Sequence, residues 1–322
     1  SEQLIILKLF QLNWVITLNV WAGGQCCEPA VIIFSMNIGL VDIDGHNFPN
    51  LALMKISAYH KSIGDNVGWV DIGNYDRTYM SKVFTFSPDY SKGFANYGEI
   101  VKGGTGFKMT NTLPSEIDKL CPDYSIYPKF TAAYGFLTRG CPNKCSWCVV
   151  PSKEGNIQPY ADIEEFLQGR KEAVLMDNNV LAHEHGLKQI EKIIRLGIKV
   201  DFNQGLDARI IAKDKSIAEL LCKVKWSRYL RLACDTKSQI PYIEKALANL
   251  NEFGFKNYRV FVYVLVKDIP DALERVTFLR DKGCSPFAQP YRDFETNKEP
   301  NYEQKKFSRW VNHKAIFNTI QF

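Results

Sequence analysis

Residues 131–148 read TAAYGFLTRGCPNKCSWC. An apolar, strand-like run (131–139) leads directly into a loop that places Cys141, Cys145 and Cys148 in a C-x3-C-x2-C pattern. Three thiolates this close can hold one metal centre, and the count matters. A structural zinc site takes four ligands, and the nearest later histidines are His183 and His185. Three cysteines on a cubane of four irons leave one iron free of protein and open to a small molecule. The chain has nine cysteines. Cys26, Cys27, Cys121, Cys222, Cys234 and Cys284 are scattered and read as small buried hydrophobes. A disulfide framework fits poorly where no clear secretory context exists.

At 322 residues the chain has room for one large or two medium domains. Its 46% hydrophobic and 23% charged residues are those of an ordinary globular protein. A net charge of +5 permits an anionic partner without arguing for one, since no dense Lys/Arg run is present. Nucleic acid is therefore not strongly indicated.

Residues 1–36 differ from the rest. They are apolar-rich (LIILKLFQLNWVITLNVWAGG), yet Lys8, Gln11, Asn13 and Asn19 interrupt the run. It lacks the ~20 nearly unbroken apolar residues of a membrane span, and no charged n-region precedes a clean cleavage site. The expectation is an appended leader outside the fold, with Met36 as the natural start; a signal anchor is the alternative.

From 37 to 130 strands and helices alternate. NIGLVDID (37–44) reads as a buried strand ending in acidic residues. Pro49 can occupy the first turn of a following helix (49–63), carrying Leu53, Ile56 and Tyr59. NVGWVD and RTYMSKVF read as short strands, and EIVKGGTGF ends another in a glycine-rich turn. This predicts a small doubly wound α/β domain, with a ligand crevice at the carboxyl ends of its strands.

From 131 to 292 the alternation becomes regular, with strands expected at 132–138, 173–177, 199–204, 229–235, 258–266 and 285–290. Ile217, Leu220, Leu221 and Val224 form one apolar stripe, and Ile243, Ala246, Leu247 and Leu250 repeat it. Six β/α units with buried strands imply a parallel, barrel-like sheet. A helical tail (293–322) follows.

The cysteine loop resembles the signature of the radical S-adenosylmethionine (SAM) enzymes, down to an aromatic residue, Trp147, before the last cysteine. The resemblance covers roughly 131–292 and implies a radical SAM partial (β/α)6 barrel. It implies a [4Fe–4S] cluster on Cys141, Cys145 and Cys148, with SAM at the open iron as a source of the 5′-deoxyadenosyl radical. A reductant such as flavodoxin or ferredoxin and a reducing, cytoplasmic compartment follow from the low potential of such a cluster. No membrane association is expected.

In barrels of this kind function sits at the carboxyl ends of the strands. The second strand ends in M-D-N-N (176–179), so Asp177, Asn178 and Asn179 are candidates for the methionine amino group; a turn with a helix cap accounts for them equally well. Gln204 and Asn203 end the third strand facing the mouth, and Asp207 and Arg209 either pair or reach the ligand. On the fourth, Tyr229, Arg231, Ala233 and Asp235 share one face. A charge there is costly unless paired, which assigns Arg231 to the SAM carboxylate or to an ion pair. Trp147, Gln204, Arg231 and Asp235 complete the cofactor-binding set.

The first domain is similar to cobalamin-binding domains, whose pattern is D-x-H-x-x-G, then S-x-L, then G-G. Asp44 and His46, Ser81 and the Gly103–Gly106 run match in part, but Pro49 replaces the glycine and the second motif reads S-K-V. These departures weigh against bound cobalamin. The leading expectation is a radical SAM enzyme of unknown substrate. A cobalamin-dependent methyltransferase or a methylthiotransferase-like enzyme is the alternative. Methylthiotransferases normally carry three more cluster cysteines in their first domain, and here only Cys121 lies between Met36 and the triplet. A zinc-binding regulatory protein is the non-enzymatic alternative.

Overall fold

The computed structural model describes residues 35–90, 95–293, 296 and 298–322, with the backbone of four short strands before residue 35. Those strands form two antiparallel pairs, Val15–Leu18 with Ala30–Ile33 and Trp21–Ala22 with Gln25–Cys26. The expected leader otherwise lies outside the described residues. The chain divides into two compact units, Ser1–Tyr127 and Pro128–Phe322.

In the first unit, β1 (Asn37–Asp42) buries Ile38, Leu40 and Val41. It lies between β2 (Asn66–Trp69) and β3 (Arg77–Ser81), and β4 (Glu99–Gly103) follows β3. All pairings are parallel, in the order β2-β1-β3-β4. The reversal of strand order falls between β1 and β3, so their carboxyl ends define the crevice of a doubly wound sheet. Helix α1 runs Leu51–Ser62. It begins later than expected because Asn50, in extended backbone, is the cap and accepts from the Leu53 N–H at 3.2 Å. Pro49 stands before the cap, not in the first turn.

The second unit is also α/β with parallel sheets. One sheet has the order β10-β9-β8-β5, formed by β5 (Ala133–Gly135), β8 (Glu172–Leu175), β9 (Lys199–Phe202) and β10 (Lys225–Trp226). The other is β11-β12-β13, formed by β11 (Leu230–Ala233), β12 (Val260–Val266) and β13 (Ser285–Pro290). Between β5 and β8, β6 (Thr138–Arg139) and β7 (Gln158–Pro159) pair antiparallel and close the base of the cysteine loop. Val260, Val262, Val264 and Val266 are wholly buried; each such side chain stabilises by roughly 1.5–3 kcal/mol.

The expected strand 229–235 is observed as β11 (Leu230–Ala233), in a sheet separate from β9 and β10; Ser227 N–H donates to the Val200 carbonyl at 2.9 Å, where pairing with β9 ends. Leu206 N–H then donates to the Arg231 carbonyl at 2.8 Å, and a Leu206–Leu232 bridge joins the third-strand loop to β11. Ile217, Leu220 and Leu221 of the first stripe lie in the helix Lys215–Cys222, which Asp214 caps and separates from the preceding helix Ala208–Lys213, while Val224 lies just past its end.

The tail likewise forms two helices, Tyr302–Asn312 and Lys314–Thr319, separated by His313, which caps the second. The first packs on β13. There the Asn312 amide accepts from Ala288 N–H at 2.8 Å and donates to the Ala288 carbonyl at 3.0 Å.

Candidate cofactor site

The cysteine loop begins at the carboxyl end of β5 and is fixed at both sides of its base. Gly140 turns the chain into it with φ of +80°, and a Cβ there would run into the Asn156 carbonyl. Glu154 gathers the base: it accepts from Arg139 Nε at 3.0 Å and Nη2 at 2.8 Å, from Gly140 N–H at 3.0 Å, and from Asn178 Nδ2 at 2.8 Å. Arg139 lies over the Phe136 ring, 4.1 Å from its centroid. Within the loop, Cys148 N–H donates to the Cys145 carbonyl at 3.0 Å, and Cys141 N–H to the Gly155 carbonyl at 3.2 Å.

Asp177 ends the second strand buried, under the start of the loop. Its carboxylate accepts from the Leu137 N–H at 3.1 Å, the Thr138 N–H at 2.6 Å and the Thr138 hydroxyl at 2.8 Å. Burial pushes its pKa up to about 6 against the pull of those donors. Asp177 therefore shapes the first part of the backbone between β5 and the first cysteine, and Glu154 the part next to Cys141.

Asn179, 3% exposed, reaches the cysteines themselves. Its Nδ2 donates to Cys141 Sγ at 3.6 Å and to Asp207 Oδ2 at 3.2 Å. Its carbonyl oxygen is buried and has no hydrogen-bond partner among the described residues. Asp207 also accepts from Asn143 Nδ2 at 3.0 Å and is gripped by Arg209, Nε to Oδ1 and Nη2 to Oδ2, both at 2.8 Å. Burial would raise the Asp207 pKa, but Arg209 and then Asn143 outweigh it and hold the carboxyl below its usual range. Burial raises the Cys145 and Cys148 thiols, and the Arg209 charge opposes this at Cys145.

On the far side, the Trp147 side chain stands beside Asp235, whose carboxyl pKa is raised by burial and which accepts from Leu265 N–H at 3.3 Å. The loop thus comes next to the end of the fourth strand. Arg231 is spent on Asp201, Nε and Nη2 each 2.6 Å from a carboxylate oxygen, with Nη1 donating to the Tyr263 hydroxyl at 3.0 Å. Of the two roles open to it, the structure shows the ion pair. Gln204 is exposed. The fold thus gathers the cysteine loop, Asn178, Asn179 and the Trp147–Asp235 pair. Sequence reading missed Glu154 and Asn143, whose roles depend on partners far along the chain. The D-A-R signal of a capping Asp followed by a forked Arg marks Asp207 (207–209).

Among the described residues, no group of three or more His, Cys, Asp or Glu side chains is arranged to hold a metal ion. The donor set nonetheless suits an iron–sulfur cluster, which takes cysteine thiolates, and the orphaned Asn179 carbonyl suits a donor-bearing ligand beside it.

At the crevice of the first unit the polar groups are already paired. Asp44 accepts from Val83 N–H and Ser87 Oγ at 2.5 Å each and from Phe84 N–H at 3.3 Å. Asn50 Nδ2 donates to Ser81 Oγ at 2.8 Å, and the Tyr127 hydroxyl to Asp42 at 2.6 Å. His46 is exposed and packs edge-on against Trp69, ring centroids 4.2 Å apart.

No protein-family model matches the chain. Part of it is similar to a tRNA-2-methylthio-N(6)-dimethylallyladenosine synthase of Karelsulcia muelleri (strain GWSS), 34% identical over 110 residues, or 31% of this chain. The match spans 22% of that protein's length, about a fifth of it. No helix among the described residues is long and apolar enough to cross a membrane.

Proposed function

We propose that this chain is a radical SAM enzyme whose cluster is held by Cys141, Cys145 and Cys148. One observation carries the reading. A C-x3-C-x2-C loop leaves the carboxyl end of a parallel strand and meets, at the end of the next strand, a buried amide bonded to the first cysteine. When bound, a reduced [4Fe–4S] cluster supplies the electron that cleaves SAM to methionine and a 5′-deoxyadenosyl radical. The chain's own residues bind and orient. Asn179 offers its carbonyl to the methionine amino group, and Asp177 fixes the approach of the loop. Trp147, beside Asp235, walls the loop on the side of the fourth strand.

The likeness to the tRNA-modifying synthase favours a second, narrower reading, a methylthiotransferase acting on RNA. Against it stands the single cysteine, Cys121, between Met36 and the triplet.

The test is anaerobic reconstitution with iron and sulfide, reduction, addition of SAM and assay of 5′-deoxyadenosine, with Cys145→Ala as control. Deoxyadenosine from the wild type alone supports the proposal. A colourless, zinc-loaded protein refutes it, since thiolate-ligated iron absorbs broadly at roughly 400 nm.

A further inference from the structure

Asn179 raises a question that its two bonds answer. A primary amide has a donating and an accepting end, and a buried one is set by its neighbours. Both groups facing its nitrogen, the Asp207 carboxylate and the Cys141 sulfur, act as acceptors. The carbonyl is thereby turned away from them, and it is the end left buried without a partner. A sulfur at 3.6 Å is a weak acceptor, so most of the constraint comes from Asp207.

Asp207 is itself held from three directions. Arg209 forks onto both of its oxygens, its Oδ1 accepts the Arg209 N–H at 3.1 Å as the cap of the helix Ala208–Lys213, and Asn143 reaches it from the cysteine loop. This carboxylate cannot rotate to release Asn179 without losing the cap and the fork.

We infer that Asp207 is a positioning residue that fixes the Asn179 amide with its carbonyl presented to the amino group of the bound ligand. The inference rests on the radical SAM reading and adds to it a residue that touches neither cofactor. Asp207→Asn keeps the cap through the amide oxygen and turns an NH2 toward Asn179. Two donors then face each other, Asn179 flips, and an N–H is offered to the ligand's amino group in place of a carbonyl.

The experiment measures affinity of the reconstituted full-length protein for SAM and for its deaminated analogue, in wild type and Asp207→Asn, with iron content and circular dichroism alongside. The expected result is a loss of about tenfold or more for SAM, with affinity for the analogue and iron content unchanged. Equal weakening of both ligands, or of neither, overturns the inference and leaves Asp207 a structural cap. Wild type that binds SAM no better than the analogue also overturns it, while the radical SAM reading stands on its deoxyadenosine assay. Wild type that binds neither ligand and forms no deoxyadenosine removes both. Should Asp207→Asn fail to fold, Asp207→Ser retains a helix cap through its hydroxyl and removes the second carboxylate oxygen, the one that Asn179 donates to, and the same selective loss is expected from it.

Discussion

The carboxyl ends of the strands in the two units carry similar polar side chains and dispose of them in opposite ways. In the first unit Asp44 is consumed by the loop after β3, Asp42 by Tyr127 and Ser81 by Asn50. In the second, Asp177 and Asp207 are consumed too, but what they hold in place is a loop of three thiols and a carbonyl with no partner. A motif at a strand end signals chemistry only when its own loop leaves some of its groups unspent. The D-x-H letters of the first unit are mostly spent on architecture.

The sharpest way to break this contrast is at the thiols. Cys145→Ala is expected to abolish both the brown chromophore and deoxyadenosine formation after reconstitution, whereas Cys121→Ala leaves both intact; iron analysis and the visible spectrum decide. Next in size is Asp177. Asp177→Ala strands two buried N–H groups and is expected to cost about 3 kcal/mol in denaturant unfolding. Its folded pKa of about 6 lies above the usual 3.8. Folding therefore favours the protonated form, and the stability linked to it is full below about pH 4 and is lost as pH rises through 6. Asp177→Asn flattens that slope; an unchanged difference between the two proteins from pH 4 to 7 would refute the assignment.

Smaller effects separate holding from binding. Arg231→Ala leaves the Asp201 carboxylate partly buried and unpaired, at a cost of about 2 kcal/mol, while SAM affinity moves less than about twofold. A large loss of affinity would return Arg231 to the ligand. Asp44→Ala removes three bonds from the loop after β3, and a loss of about 1–2 kcal/mol is expected. His46→Ala, at an exposed ring, should stay within about 0.5 kcal/mol and leave deoxyadenosine formation unchanged. A visible-spectrum shift of hydroxocobalamin with wild type but not with His46→Ala would overturn the contrast between the units.

Strand positions were legible because each buried strand carries its own apolar run: the expectation of 258–266 became Val260–Val266, and that of 285–290 is observed as such. The cysteine loop was legible because its spacing is local. Breaks were not, since they depend on partners elsewhere: the division into two sheets falls where Ser227 bonds to Val200 and Leu206 to Arg231. The same holds within the site. Asn179 could be named from M-D-N-N, but the end of its amide that faces a ligand is set by Asp207, well downstream. Arg231 invited two roles that only the position of Asp201 separates.

The Asn312 amide gives the outer edge of β13 both a donor and an acceptor, in the manner of a neighbouring strand. A sheet edge left bare is a template for another chain. The tail therefore works as a guard against self-association: a protein shortened before Tyr302 would keep its cysteines and betray the loss first as aggregates in light scattering.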